Sequence, residues 1–252
     1  MGFNSPISSE KADRLVRLLE LRPGDRALDV GCGTGEFLMR VVAHHAVHGV
    51  GLDLDPRTIA AAQANAADRG VASRCDLRAS DINLFEAGRG TFDLGISIGS
   101  THAFGAGDAA YPNTIEQLRR LVRPGGYVLI GECYWKQEPA PEYLILIGEP
   151  VGVYRSHAAN ISFAEEHGLE PLYAVVSSDD EWDDFEWRHY LKAQSDAQAN
   201  PNDPAFVARL ARSRHWRDGY LRFGRSTMGF GLYLFRVPPR ATLAGNSGST
   251  VG

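Results

Sequence analysis

The chain reads as an α/β protein built on a doubly wound, parallel sheet. Three observations carry that reading. Short apolar runs bounded by Gly and Pro alternate with longer stretches of helical apolar periodicity through the first half. A glycine-rich turn follows the first of those runs and opens a helix. The 252 residues, 44% of them hydrophobic, suit one domain with a substantial core.

The elements follow in order. Residues 8–21 form an amphipathic helix with Ala12, Leu15, Val16, Leu18 and Leu19 as its apolar positions, and Pro23-Gly24-Asp25 breaks it. Residues 26–30 are a buried strand, 36–44 a helix and 47–52 a second strand. Asp55-Pro56 starts an alanine-rich helix that runs to Asp68 and is closed by Gly70. Weaker strands follow at 73–78 and 92–98, then a helix at 111–121, the turn Arg123-Pro124-Gly125-Gly126 and the strongest strand at 127–133. This βαβαβ order demands parallel strands with right-handed crossovers. The second half is less regular, with helices at 141–147, 162–167, 179–198 and 204–223 and strands at 172–177 and 229–237. We read residues 1–237 as a single domain in which about 134–225 shape an acceptor-side helical cap. Residues 238–252, rich in Gly, Ser and Thr, read as a disordered tail.

Composition narrows the functions. A net charge of -5 disfavours nucleic acid as a partner. Cys32, Cys75 and Cys133 are odd in number and widely spaced, which suits neither a disulfide framework nor a zinc site and fits a reducing compartment. His44, His45 and His48 lack matching carboxylates, so no metal is expected. The charged residues at 10–17 rule out a signal-peptide hydrophobic region, and no apolar run approaches the ~18 residues of a spanning helix. A cytoplasmic protein without membrane contact is expected, of unspecified oligomeric state.

The chemistry sits in the loop Gly31-Cys32-Gly33-Thr34-Gly35-Glu36. Its glycines allow a sharp turn and close approach of the backbone to a ligand. Asp53, about 20 residues on, can accept both ribose hydroxyls of an adenosine. A dinucleotide would bring a pyrophosphate to this turn, and Asp29 and Glu36 would repel it. Two carboxylates suit the cationic ammonium and sulfonium of S-adenosylmethionine.

Leu28 to Gly35 resembles the first motif of the class I S-adenosylmethionine-dependent methyltransferases, and Val50 to Pro56 resembles their second. Ser80-Asp81-Ile82 is similar to their adenine-binding acidic position, and Leu121 to Gly126 to the turn before their fifth strand. The resemblance implies a Rossmann-like methyltransferase sheet whose last strand, 229–237, is antiparallel. It also implies cofactor contacts from Asp29 and Gly31 toward the methionine end, from Gly33, Gly35, Asp53 and Leu54 at ribose and adenine, from Asp81 and Ile82, and from Ser97 near the methionine moiety.

The fourth strand runs into Ser97-Ile98-Gly99-Ser100-Thr101-His102, beside the expected methyl group. Imidazole titrates near pH 6.5 in water, so His102 is the candidate general base; a structural hydrogen bond is the alternative role. Glu132, Tyr134 and Trp135 at the end of the fifth strand are candidate acceptor contacts, or core beneath a cap. Trp182 lies in an acidic and aromatic segment, 179–187, which either holds a cationic amine or serves as an acidic helix start. The expected reaction is methyl transfer to an O or N atom of a small-molecule acceptor. An RNA methyltransferase and a non-catalytic S-adenosylmethionine-binding module are the alternatives.

Overall fold

The computed structural model describes residues 2–239, so the expected tail lies, from residue 240 on, outside the described residues. A seven-stranded sheet carries the fold. Its strands are β1 (Arg26–Val30), β2 (His48–Asp53), β3 (Cys75–Ala79), β4 (Phe92–Ile98), β5 (Val122–Trp135), β6 (Glu170–Val176) and β7 (Met228–Arg236). Their order is β3-β2-β1-β4-β5-β7-β6, with β7 antiparallel to both its neighbours. The helices are α1 (Ser9–Arg17), α2 (Glu36–His45), α3 (Pro56–Asp68), α4 (Ala110–Leu121), α5 (Pro141–Ile147), α6 (His157–Glu166), α7 (Asp179–Ala199) and α8 (Pro204–Gly219).

Both sheet faces are covered, as a parallel sheet requires. Strand alternation sends Ala27 of β1 to one core, with Leu15 of α1 and Leu38 and Val41 of α2. The next residue, Leu28, goes to the other core with Ile115 and Leu118 of α4. Strand order reverses between β1 and β4, where crossovers leave in opposite directions and open a crevice at the carboxyl ends.

Several boundaries differ from the sequence reading. The first helix stops at Arg17: Leu19 N–H turns back to Val16 O at 3.2 Å, and the chain straightens ahead of Pro23. Strand β5 includes the Pro-Gly-Gly turn, because Gly125 N–H donates to Val237 O at 2.7 Å and Val237 N–H to Gly126 O at 2.9 Å. Helix α6 begins five residues early because Ser156 caps it, accepting from Ala159 N–H. Past α8 the chain forms a π-helical turn, Tyr220–Gly224, that sends Tyr220 into the core and stacks Phe223 on Tyr143. The segment between β5 and β7 contributes the edge strand β6 besides the helices α5 to α8, and α7 and α8 pack as a hairpin. No helix among the described residues is long and apolar enough to cross a membrane.

Asp93 clamps the amino-terminal end of the sheet. Its carboxylate accepts from Arg26 N–H at 2.8 Å and pairs with Arg123, so one side chain ties β1, β4 and β5 together. We expect Asp93→Ala to lower unfolding stability by about 1–3 kcal/mol in urea titrations, the scale of losing charge-assisted hydrogen bonds, while ligand binding at the opposite sheet end is retained.

Candidate functional site

The crevice at the switch point holds two adjoining hollows of about 190 and 320 Å³. Gly31, Asp53, Ser100 and His102 line both. The glycine loop forms the floor. Gly31 N–H and Cys32 N–H both donate to Leu52 O, at 2.8 and 2.9 Å, bending the chain over the end of β2. Gly31 has φ 70°, and a Cβ there would come 2.3 Å from that of Ser100, so only glycine fits. Gly35 caps α2 in the left-handed conformation and lines neither hollow.

Asp29 is the chemical centre of the crevice. Its carboxylate is 4% exposed and accepts no hydrogen bond from the described residues. Burial, reinforced by neighbouring Asp53, raises its pKa from the ordinary carboxylate range to about 7. Asp53 is held ready by two backbone donors, Gly33 N–H at 3.1 Å and Asp55 N–H at 3.0 Å, one on each oxygen. Each of those oxygens keeps a lone pair for a ligand hydroxyl.

The second hollow is walled by Leu54, 69% exposed, and by Ile82, which is buried. Asp81 lines it and caps the turn Ile82–Leu84, accepting from Asn83 N–H at 2.8 Å. An apolar slot with an acid at its edge suits a purine.

Glu36 does not act as the loop sequence implies. It is buried, but Arg40 holds one oxygen at 2.8 Å and Arg69 pairs with the other. Its charge is neutralised inside the protein, which leaves Asp29 as the buried unpaired charge at the loop. With Asp53 beside it, an acid without a protein cation still favours a cation and disfavours a pyrophosphate.

Ser97 is likewise displaced from its expected role. It is fully buried, and its hydroxyl meets that of Ser100 at 3.0 Å. Ser100, which donates to Val30 O at 2.6 Å, occupies the pocket wall instead. His102 stands exposed on the single turn Thr101–Phe104, at the rim of both hollows.

Glu132, Tyr134, Trp135 and Trp182 line neither hollow. Glu132 lies beneath the His102 turn, pairing with the Thr101 hydroxyl and accepting from Cys133 N–H at 2.7 Å; burial raises its pKa to about 6. Tyr134 packs on His157 at 5.2 Å. Trp135 donates to Val151 O at 2.8 Å and meets Tyr143 and Tyr154 edge-on. Trp182 packs on Phe230.

Three of the acids around Trp182 are engaged as well. Asp179 pairs with Lys136 and Arg225, Asp183 with Arg225 and the Tyr220 hydroxyl, and Glu181 with Lys11. Ser178 and Glu181 form a capping box, so this segment serves as a helix start. The sequence reading missed Phe3, Asn4 and Ser5, which line the first hollow. Nothing in that short stretch before α1 signals a ligand, because its proximity to β4 exists only after folding.

Comparison with known proteins adds the chemistry. A family described as "Methyltransferase domain" matches residues 21–166. The uncharacterized protein YjhP of Escherichia coli is 28% identical, the alignment covering 92% of each chain, and its X-ray structure superposes with a TM-score of 0.84. A SAM-dependent methyltransferase from Geobacter sulfurreducens, crystallised with S-adenosyl-L-homocysteine, is 27% identical over 94% of both chains, with a TM-score of 0.85. The 27-O-demethylrifamycin SV methyltransferase of Amycolatopsis mediterranei is 29% identical over 63% of this chain and 59% of its own length.

Asp29 makes two measurable predictions. Its folded pKa lies above its unfolded one, so its contribution favours folding below about pH 4 and is lost as pH rises toward 7. Asp29→Asn should therefore raise the stability of the ligand-free protein by about 1–3 kcal/mol above pH 7 and flatten the pH profile between about pH 4 and 7, read by thermal unfolding. A cationic ligand needs the ionised carboxylate, so calorimetry should show S-adenosylmethionine affinity rising with pH to a plateau above about 7. The same dependence should be absent in Asp29→Asn.

Proposed function

The chain belongs to the S-adenosylmethionine-dependent methyltransferases, and from that premise we propose that it methylates an O or N atom of a small-molecule acceptor presented at His102. The buried, unpaired Asp29 carboxylate beside the Asp53 ribose position is the observation that carries the cofactor half of the reading. The acceptor half draws support from the named enzyme acting on rifamycin and from the net negative charge of this chain.

When bound, S-adenosylmethionine supplies a methyl group activated by sulfonium. Asp29 neutralises the cationic end of the cofactor, and Asp53 accepts from the ribose hydroxyls. Leu54, Asp81 and Ile82 hold the base. The glycine loop supplies room for close approach of the ligand to the backbone. His102 takes the proton of a hydroxyl or protonated-amine acceptor on a ring nitrogen, and the remaining contribution is alignment and exclusion of water.

Three measurements test this reading. Asp53→Ala should weaken S-adenosylhomocysteine binding by about 1–3 kcal/mol in calorimetry; unchanged affinity would remove Asp53 from the site. A panel of small hydroxyl and amine acceptors with methyl-labelled cofactor identifies the acceptor; label found only in RNA would overturn the small-molecule assignment, and label on carbon the O or N assignment. On that acceptor, at saturating cofactor, His102→Ala should lower turnover by ~10²–10⁴-fold with cofactor affinity unchanged.

A further inference from the structure

We infer that residues 3–5 form a cover over the cofactor pocket and that helix α7 holds this cover shut. The inference rests on the assignment of the Asp29 hollow to the cofactor. Phe3, Asn4 and Ser5 line that hollow together with Asp29, Gly33 and His102. Phe3 and Ser5 are buried although residues 2–8 contain no helix or strand of their own. Something outside the segment therefore decides where it lies.

On the pocket side the contact is close. The Arg40 guanidinium sits 5.3 Å over the Phe3 ring. Gly99, with φ 68°, ends β4 directly under Ser5; a Cβ there would come 3.1 Å from the Ser5 hydroxyl oxygen. On the outer side three clasps reach in from the β6–α7 region. Arg188 donates to Phe3 O at 2.7 Å. The Ser177 hydroxyl donates to Pro6 O. Ser8 N–H donates to the Glu181 carboxylate at 2.9 Å, and the same carboxylate pairs with Lys11 and closes the capping box of α7.

The cover is one residue layer thick, since Asn4 also lines the hollow of about 450 Å³ between α7 and α8 on its far side. A segment with few hydrogen bonds of its own, held by side chains of another element, opens at low cost compared with the sheet beneath it. Cofactor exchange then passes through release of residues 3–5, and Arg188 and Glu181 are positioning residues for that step. The acidic start of α7 thereby acquires a role at the cofactor pocket without touching the cofactor.

Stopped-flow measurement of S-adenosylhomocysteine association and release on the full chain tests the cover. The variants are Arg188→Ala, Arg188→Lys, Glu181→Gln and Phe3→Ala, each accompanied by its melting temperature. Arg188→Ala should quicken both association and release, release by roughly tenfold, so that affinity changes less than either rate. Arg188→Lys, which keeps one donor for Phe3 O, should restore part of the effect. Glu181→Gln and Phe3→Ala should move both rates in the same direction.

A change carried by release alone would mean that these residues merely support the pocket, and it would overturn the gate. So would unchanged rates in variants that melt normally. If the wild-type chain does not bind S-adenosylhomocysteine, the pocket assignment falls and takes the cover with it. If it binds and the variants exchange ligand at the wild-type rate, only the cover falls.

Discussion

A carboxylate buried without a partner is the constraint around which this protein is arranged. Taking Asp29 out of water costs free energy that no protein cation returns, and the burden appears as a pKa near 7. The fold tolerates it at one place, the end of β1, where strand order reverses and the crevice opens. Asp29 pairs in register with Gly51 of β2, where Leu77, Cys32 and Leu38 already occupy the room a side chain would take. Asp53 is close enough to reinforce the shift, yet its own oxygens are tied to Gly33 and Asp55 N–H groups. The pair is thus asymmetric, one acid satisfied by backbone and the other waiting for charge. Local stability is given up where the ligand can restore it.

The remaining acids near the site show how tertiary contacts redistribute charge. Glu36 is adjacent to the glycine loop in sequence, but Arg69 arrives from the end of α3 to pair with it. The acids at the start of α7 look like a cationic-amine site in one dimension. In three dimensions they meet Lys11, Lys136 and Arg225, which stand 42 to 170 positions away in the chain. Charge count alone therefore overstates the negative field in the crevice, which falls to Asp29, Asp53 and Asp81.

The cap follows the same logic of long-range closure. Glu132, Tyr134 and Trp135 were legible at the end of β5, and Trp182 as part of an acidic and aromatic segment. What could not be read is which side of the wall each one faces. Glu132 turns under the His102 loop to meet Thr101, while Trp135 packs among Tyr143 and Tyr154. Strand periodicity assigns a face of the sheet but does not say whether that face looks into a pocket or into a helix packed above it.

The chain by itself determined the alternation of strands and helices, the glycine turn after β1, and the identity of the acids at positions 29, 53 and 81. These are local signals: turns need particular φ values, strands and helices have fixed apolar periods, and an acid at the end of a strand is near the crevice whatever the loops do. Only the tertiary structure decided that Ser100 replaces Ser97 at the pocket wall, that Glu36 is neutralised, and that Phe3, Asn4 and Ser5 line the first hollow. Each of these depends on groups far apart in sequence meeting at one point. Register, burial and ion pairing are set by packing, and packing is a property of the whole chain.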